Sequence, residues 1–174
     1  MIQTALKAAR NALRRRLGTR PNGEELVHIT CPGRGVEGQR NYLGMMFIGL
    51  ERENNLSSDR KGFSLDANVV FMLYAFFSDY ADSLSYLSNS LAAFQENLSL
   101  HPADFPELKM PAYPLYIEPY FFPLEQQLQT WNPFMDDSIP FMFYRLRSLR
   151  FKTYQTQAPE MKGFDTGFKK AGHG

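Results

Sequence analysis

In this 174-residue chain the residues best equipped for chemistry fall into a few small groups. Gly33-Arg34-Gly35-Val36-Glu37-Gly38 fits the spacing by which a glycine-rich turn lets backbone amides approach a dinucleotide pyrophosphate. That chemistry needs a helix to open at the third glycine, with its N-terminal amides on the phosphate, whereas Tyr42-Leu43-Gly44-Met45-Met46-Phe47-Ile48 is strand-like. The segment reads as a hairpin loop. Glu51 and Glu53 lie two apart on one strand face and Asp136-Asp137 form a second acidic pair, the raw material of paired-carboxylate hydrolysis. Carboxylates at a strand end or in a loop are usually solvated, and that is the reading here. His28, His101 and His173 are scattered without the i, i+4 spacing of a metal-binding helix. Cys31 stands three residues from His28, an odd offset that sends the two to opposite faces of a strand and away from a thiolate–imidazole pair. The chain is therefore expected to be no enzyme and to carry no metal and no cofactor.

The cations form a clearer pattern. Lys7, Arg10, Arg14, Arg15, Arg16 and Arg20 stand in the first twenty residues without a single acid, although the whole chain has a net charge of only +1. The rest is therefore net acidic. Such a basic segment suits nucleic acid, an anionic membrane, or the acidic face of another copy. Arg145, Arg147 and Arg150 sit among Phe143, Tyr144 and Phe151, a mixture that could hold single-stranded nucleic acid by cationic and stacking contacts. A dedicated binder normally has a basic domain, so a nucleic-acid-binding module built on the N-terminal helix is kept as the alternative. The apolar stripe of that helix is thin and lacks a Trp or Phe anchor for lipid.

The elements that must position these residues follow from periodicity. Ile2, Leu6, Ala9, Leu13 and Leu17 make one helical stripe over residues 2–17, stopped by Gly18. Residues 25–31, 42–52 and 64–77 read as strands of a meander, the first with Cys31 on the face of Val27 and Ile29. Asp79 caps a helix with the stripe Tyr80, Leu84, Leu87, Leu91, Phe94 and Leu98. Residues 115–120, held between prolines, read as an edge strand, 124–131 as a short helix, and 139–154 as a final strand. On that last strand Phe141, Phe143, Arg145 and Arg147 share one side and Met142, Tyr144 and Leu146 the other. The order α-β-β-β-α-β-α-β gives an α+β fold, a mostly antiparallel sheet flanked by helices.

A hydrophobic fraction of 44% excludes disorder throughout, and no apolar run reaches the ~20 residues of a bilayer span. The start of the chain lacks the apolar stretch of a secretory signal, so the mature chain is expected to begin at Met1. One α+β domain is expected over residues 1–155, with 156–174 a flexible tail that is either simply disordered or ordered only against a neighbouring chain.

Two stretches carry a resemblance. Asn68-Val69-Val70-Phe71-Met72-Leu73-Tyr74-Ala75-Phe76-Phe77-Ser78, followed by Tyr80, Leu84, Leu87 and Phe94-Gln95, resembles a strand–helix signature of the tail-terminator (cap) proteins of phage-tail-like contractile injection systems, of the antifeeding-prophage type. Leu115-Tyr116-Ile117-Glu118-Pro119, Leu124-Glu125, Trp131, Pro140 and Tyr144-Arg145-Leu146-Arg147 are similar in order and spacing to that family's closing helix–strand segment. Glu51 and Glu53 fall where the family places an acidic cluster, whereas residues 132–138 lack the glycine often found there. The resemblance spans roughly residues 1–155. It implies a tail-terminator-like fold and a structural subunit of a ring, expected to be a hexamer, that ends the inner tube and joins it to the last sheath layer. It also implies assembly in the bacterial cytoplasm within a particle that is released or anchored. The partners implied are other copies, the inner-tube protein and the sheath protein, with no membrane span. Interface residues expected on this reading are Lys7, Arg10, Arg14, Arg15, Arg16, Glu51, Glu53, Arg145, Arg147, Phe164, Phe168, Lys169 and Lys170.

Overall fold

The computed structural model describes residues 1–20, 23–32, 41–52, 64–96, 98–108, 114–131 and 139–152. Alanine-rich sequence with apolar residues three and four apart forms α1 (Ile2–Leu17), which buries Ala5, Leu6, Ala8, Ala9, Ala12 and Leu13. The small alanines let the helix backbone come close to its neighbours. Gly18 ends it at φ 75, its N–H donating to the Arg14 carbonyl at 2.9 Å. Arg14, Arg15 and Arg16 lie in the last turn, where cations offset the helix dipole.

The strands are β1 (Val27–Ile29), β2 (Tyr42–Arg52), β3 (Ser64–Phe76), β4 (Ser99–Leu100), β5 (Leu115–Pro119) and β6 (Phe141–Lys152). With α2 (Tyr80–Glu96) and α3 (Leu124–Trp131) they complete an α+β fold whose sheet runs β1-β2-β3-β6-β5-β4. The expected meander holds only for β2 and β3. β1 pairs parallel to β2, Val27 opposite Leu43 and Ile29 opposite Met45. All other neighbours are antiparallel. The sequence reading lacked β4, two residues too short to show a period, and so misplaced β5, which is flanked by β4 and β6 and is not an edge over its first half.

Two bulges adjust the faces. β2 carries an extra residue between Phe47 and Gly49, and β6 one between Leu146 and Leu149 where β3 steps from Val69 to Ala67. Helices α1 and α2 cover one sheet face, enclosing Leu43, Met45, Val69, Phe71, Leu73, Leu115, Ile117, Tyr144 and Leu146. Phe94 of α2 inserts here, 4.9 Å from the Tyr144 ring and 6.3 Å from that of Phe71. The opposite face is not bare, as a simple two-layer fold would leave it. Tyr42, Met46, Met72, Tyr74, Ile139 and Phe143 form a second cluster there, with Cys31, Tyr120 and Phe122 against it.

In α2 the cap is as expected, Asp79 Oδ1 accepting from the Ala81 N–H at 2.7 Å. The buried stripe is rotated from the expected one. Ser83, Leu87, Ser90, Ala93 and Phe94 face inward, while Tyr80 (58% exposed), Leu84 (45%) and Leu98 (52%) face out. Hydroxyls made the inward face look polar, yet the hydroxyl of Ser90 is satisfied within the helix by the Tyr86 carbonyl. Cys31 also moves: β1 ends at Ile29, alternation stops there, and the thiol packs on the second cluster on the side of His28, whose ring meets Tyr42 edge-on at 5.6 Å.

Candidate functional site

On the sheet face away from α1 and α2, three strands bring charged residues together beside the aromatic cluster. Register places Glu51 opposite Asn68, Arg145 opposite both Val70 and Glu118, and Arg147 opposite Tyr116. Arg145 is the hub. Its Nε lies 2.9 Å from Glu51 Oε2, an ionic contact off the N–H direction, and its terminal nitrogen donates to Glu118 Oε1 at 3.1 Å. Arg147 approaches Glu118 Oε2 at 3.5 Å. The Tyr120 hydroxyl donates to Glu51 Oε1, and the Arg145 guanidinium lies 4.2 Å from the centre of the Tyr120 ring. That hydrogen bond, with burial second, raises the Tyr120 phenol above its ordinary value. Burial pulls the Arg145 value down, but Tyr120, Glu51 and Glu118 outweigh it and the guanidinium holds its proton more tightly. The arrangement ties β2 to β6 and β5 across β3. Both carboxylates are engaged by cations, a geometry of ion pairing rather than of proton transfer.

Of the residues read from sequence, Glu51, Arg145 and Arg147 meet here. Glu53, Asp136, Asp137, Phe164, Phe168, Lys169, Lys170, His173, the glycine-rich segment 33–38 and the whole stretch 156–174 lie outside the described residues. Glu118 and Tyr120 were missed as site residues. Their signal was an acid and a phenol two apart, at the end of a short strand beside the Arg145-x-Arg147 pattern. Stacking of bases on the last strand is excluded for Phe143 and Tyr144, which are 2% and 0% exposed in the two sheet-face clusters.

The N-terminal cations lie on the other side of the sheet and do not join this cluster. Arg14 pairs with Glu25 at 2.8 Å and Arg16 with Glu96 at 3.0 Å. Arg15 donates to the Asp104 carbonyl and stacks 4.3 Å from the Phe105 ring centre. Arg10 donates to Asn11 Oδ1 at 3.2 Å, and the Asn11 amide passes the chain of bonds to Glu107 at 2.7 Å. Lys7 is exposed on α1. The basic helix thus pairs Arg14 and Arg16 with acids of its own chain, while Arg10 and Arg15 bond neutral groups. Among the described residues no set of three or more His, Cys, Asp or Glu gathers as a metal site, and no helix is long and apolar enough to cross a membrane.

No family model and no curated protein matches the sequence. Solved structures do. The chain is similar to the sheath/tube terminator of PVC, an extracellular contractile injection system, in its extended state, with TM-score 0.65 and 12% identity over 99% of this chain. It is also similar to the tube-terminating cap of the anti-feeding prophage, with TM-score 0.60 and 13% identity over 92% of this chain. The chain spans 64% of the length of the first and 59% of the second. The α+β fold is thus shared with tail terminators across nearly the whole chain.

Proposed function

We propose that this chain is a structural terminator, or cap, subunit of a contractile injection system, ending the inner tube and joining it to the last sheath layer. The observation that carries the reading is the shared fold: two solved proteins of like role, a sheath/tube terminator and a tube-terminating cap, match over 99% and 92% of the chain. The quoted strand–helix and helix–strand signatures lead independently to the same group. In this role the chain works without catalysis, as one of several copies in a ring, hexameric on the resemblance, built in the bacterial cytoplasm and released or anchored with the particle. The alternative, a nucleic-acid binder using the basic helix, gains no support from arginines already engaged with Glu25, Glu96 and Phe105.

Tagged chain, expressed in its native host and recovered by affinity, tests the proposal. Tube and sheath proteins are expected in stoichiometric amounts, with tag density at one particle end in negative-stain micrographs. Recovery of nucleic acid or of an unrelated complex, without any tube component, overturns it.

A further inference from the structure

Among the described residues the sheet is open, and its two margins share exposed apolar residues on one face. At one margin β1 covers β2 only from Leu43 to Met45, the last bond running from the Thr30 N–H to the Met45 carbonyl at 3.1 Å. Among the described residues nothing pairs with the outer side of β2 from there to Arg52. Phe47 (40% exposed) and Leu50 (45%) flank this free stretch. Three residues apart on a regular strand they would point to opposite faces; the bulge between Phe47 and Gly49 returns both to the helix-side face, opposite Phe71 and Val69. An unpaired strand edge with exposed apolar residues is a ready template for another chain.

The other margin ends in the two residues of β4, and just before them stands Leu98, 52% exposed. Alternation from the buried Leu100 puts Leu98 on the same helix-side face. A continuous sheet keeps that face on one side, so the Phe47–Leu50 pair of one copy and Leu98 of the next would meet without reversal. The charges agree: Arg52 is exposed at the first margin, and Asp104 is exposed near the second. Nothing at the β2 margin blunts it with proline, unlike β5, which ends in Pro119.

We infer that copies of this chain join edge to edge, the outer side of β2 beyond Met45 in one copy docking against Leu98 and β4 of the next. The contact is heterologous, between unlike margins, and its repetition closes a ring. The inference deepens the proposed function, in which the chain acts as one of several copies, by naming the surfaces that meet.

The test uses the full chain with Cys31→Ser, carrying Leu50→Cys and Leu98→Cys together or singly, treated with a short bismaleimide. The double variant is expected to give a ladder of covalent oligomers ending in a closed species, and each single variant to remain uncross-linked. Phe47→Asp should abolish the ladder while leaving the melting transition in place. Dimers from Leu50→Cys alone would mean two β2 edges pairing about a two-fold axis, and would overturn the inference. Absence of a ladder from the double variant would overturn it too. Tube co-sedimentation is read in parallel: tube binding without cross-links sinks the edge contact alone, whereas a ladder without tube binding sinks the terminator reading and leaves the contact.

Discussion

Arg145 neutralises two carboxylates that reach it from different strands, and its removal leaves Glu51 and Glu118 facing a half-buried space without their shared cation. With a quarter of its side chain exposed, Arg145→Met should cost about 2 kcal/mol, between the values for surface and buried pairs. Urea denaturation would read this, and Arg145→Lys, which keeps the charge but not the fork, should recover only part. Tyr120 makes the same site sensitive to alkali. Its phenol is raised above the ordinary 10.0 by donating to Glu51, so its contribution is complete below that value and is lost as pH climbs through the folded-state value. Tyr74 and Tyr144, raised by burial, act in the same direction, so Tyr120→Phe should lessen the alkaline loss of stability without abolishing it. Gly44 is a steric counterpart. A Cβ there would lie 2.0 Å from Cζ of Tyr74, whose ring crosses the space from the partner strand. Gly44→Ala should cost about 1–3 kcal/mol by thermal or urea melts, and less where Tyr74→Leu has opened the space.

Among the elements, α2 separates what period alone predicts from what packing decides. Leu87 is 5% exposed and Leu84 is 45% exposed, though both belong to the stripe read from sequence. Leu87→Asp should abolish cooperative folding, whereas Leu84→Asp should shift stability by no more than about 0.5 kcal/mol. Circular dichroism melts distinguish them. The difference arises because Ser83 and Ser90 are buried where a hydropathy pattern expects apolar side chains. Helix limits, the Asp79 cap, the β2–β3 hairpin and the two faces of β6 were legible, since each rests on local period or a local cap. The parallel pairing of β1 was not, because strand direction depends on the path of the chain between strands and leaves no mark within Val27–Ile29. For the site, Arg145, Arg147 and Glu51 were legible as charged residues on strands, but their meeting through Glu118 depends on a register that no single strand encodes.

At the scale of the molecule, part of the N-terminal positive charge is met by acids of the same chain, Arg14 by Glu25, Arg16 by Glu96 and Arg20 by Glu24. Reversing one pair in place, Arg14→Glu with Glu25→Arg, should restore the stability lost by either change alone, a coupling of under about 1 kcal/mol given their exposure. Capping of tubes by the swapped chain would show that the pair serves the fold and that a basic helix surface is not what a partner reads. A last consequence follows from the sheet order. β6, the last strand made, lies between β3 and β5, so the sheet cannot close during translation until almost all of residues 1–152 have left the ribosome. Until then the growing chain carries a β2–β3 hairpin with a long hydrophobic side of β3 unpaired, and the pairing that completes it spans a large sequence separation and is slow for that reason. Nascent chains halted before Phe141 are therefore expected to aggregate more readily than chains that extend through Lys152, a difference that sedimentation of stalled chains would read.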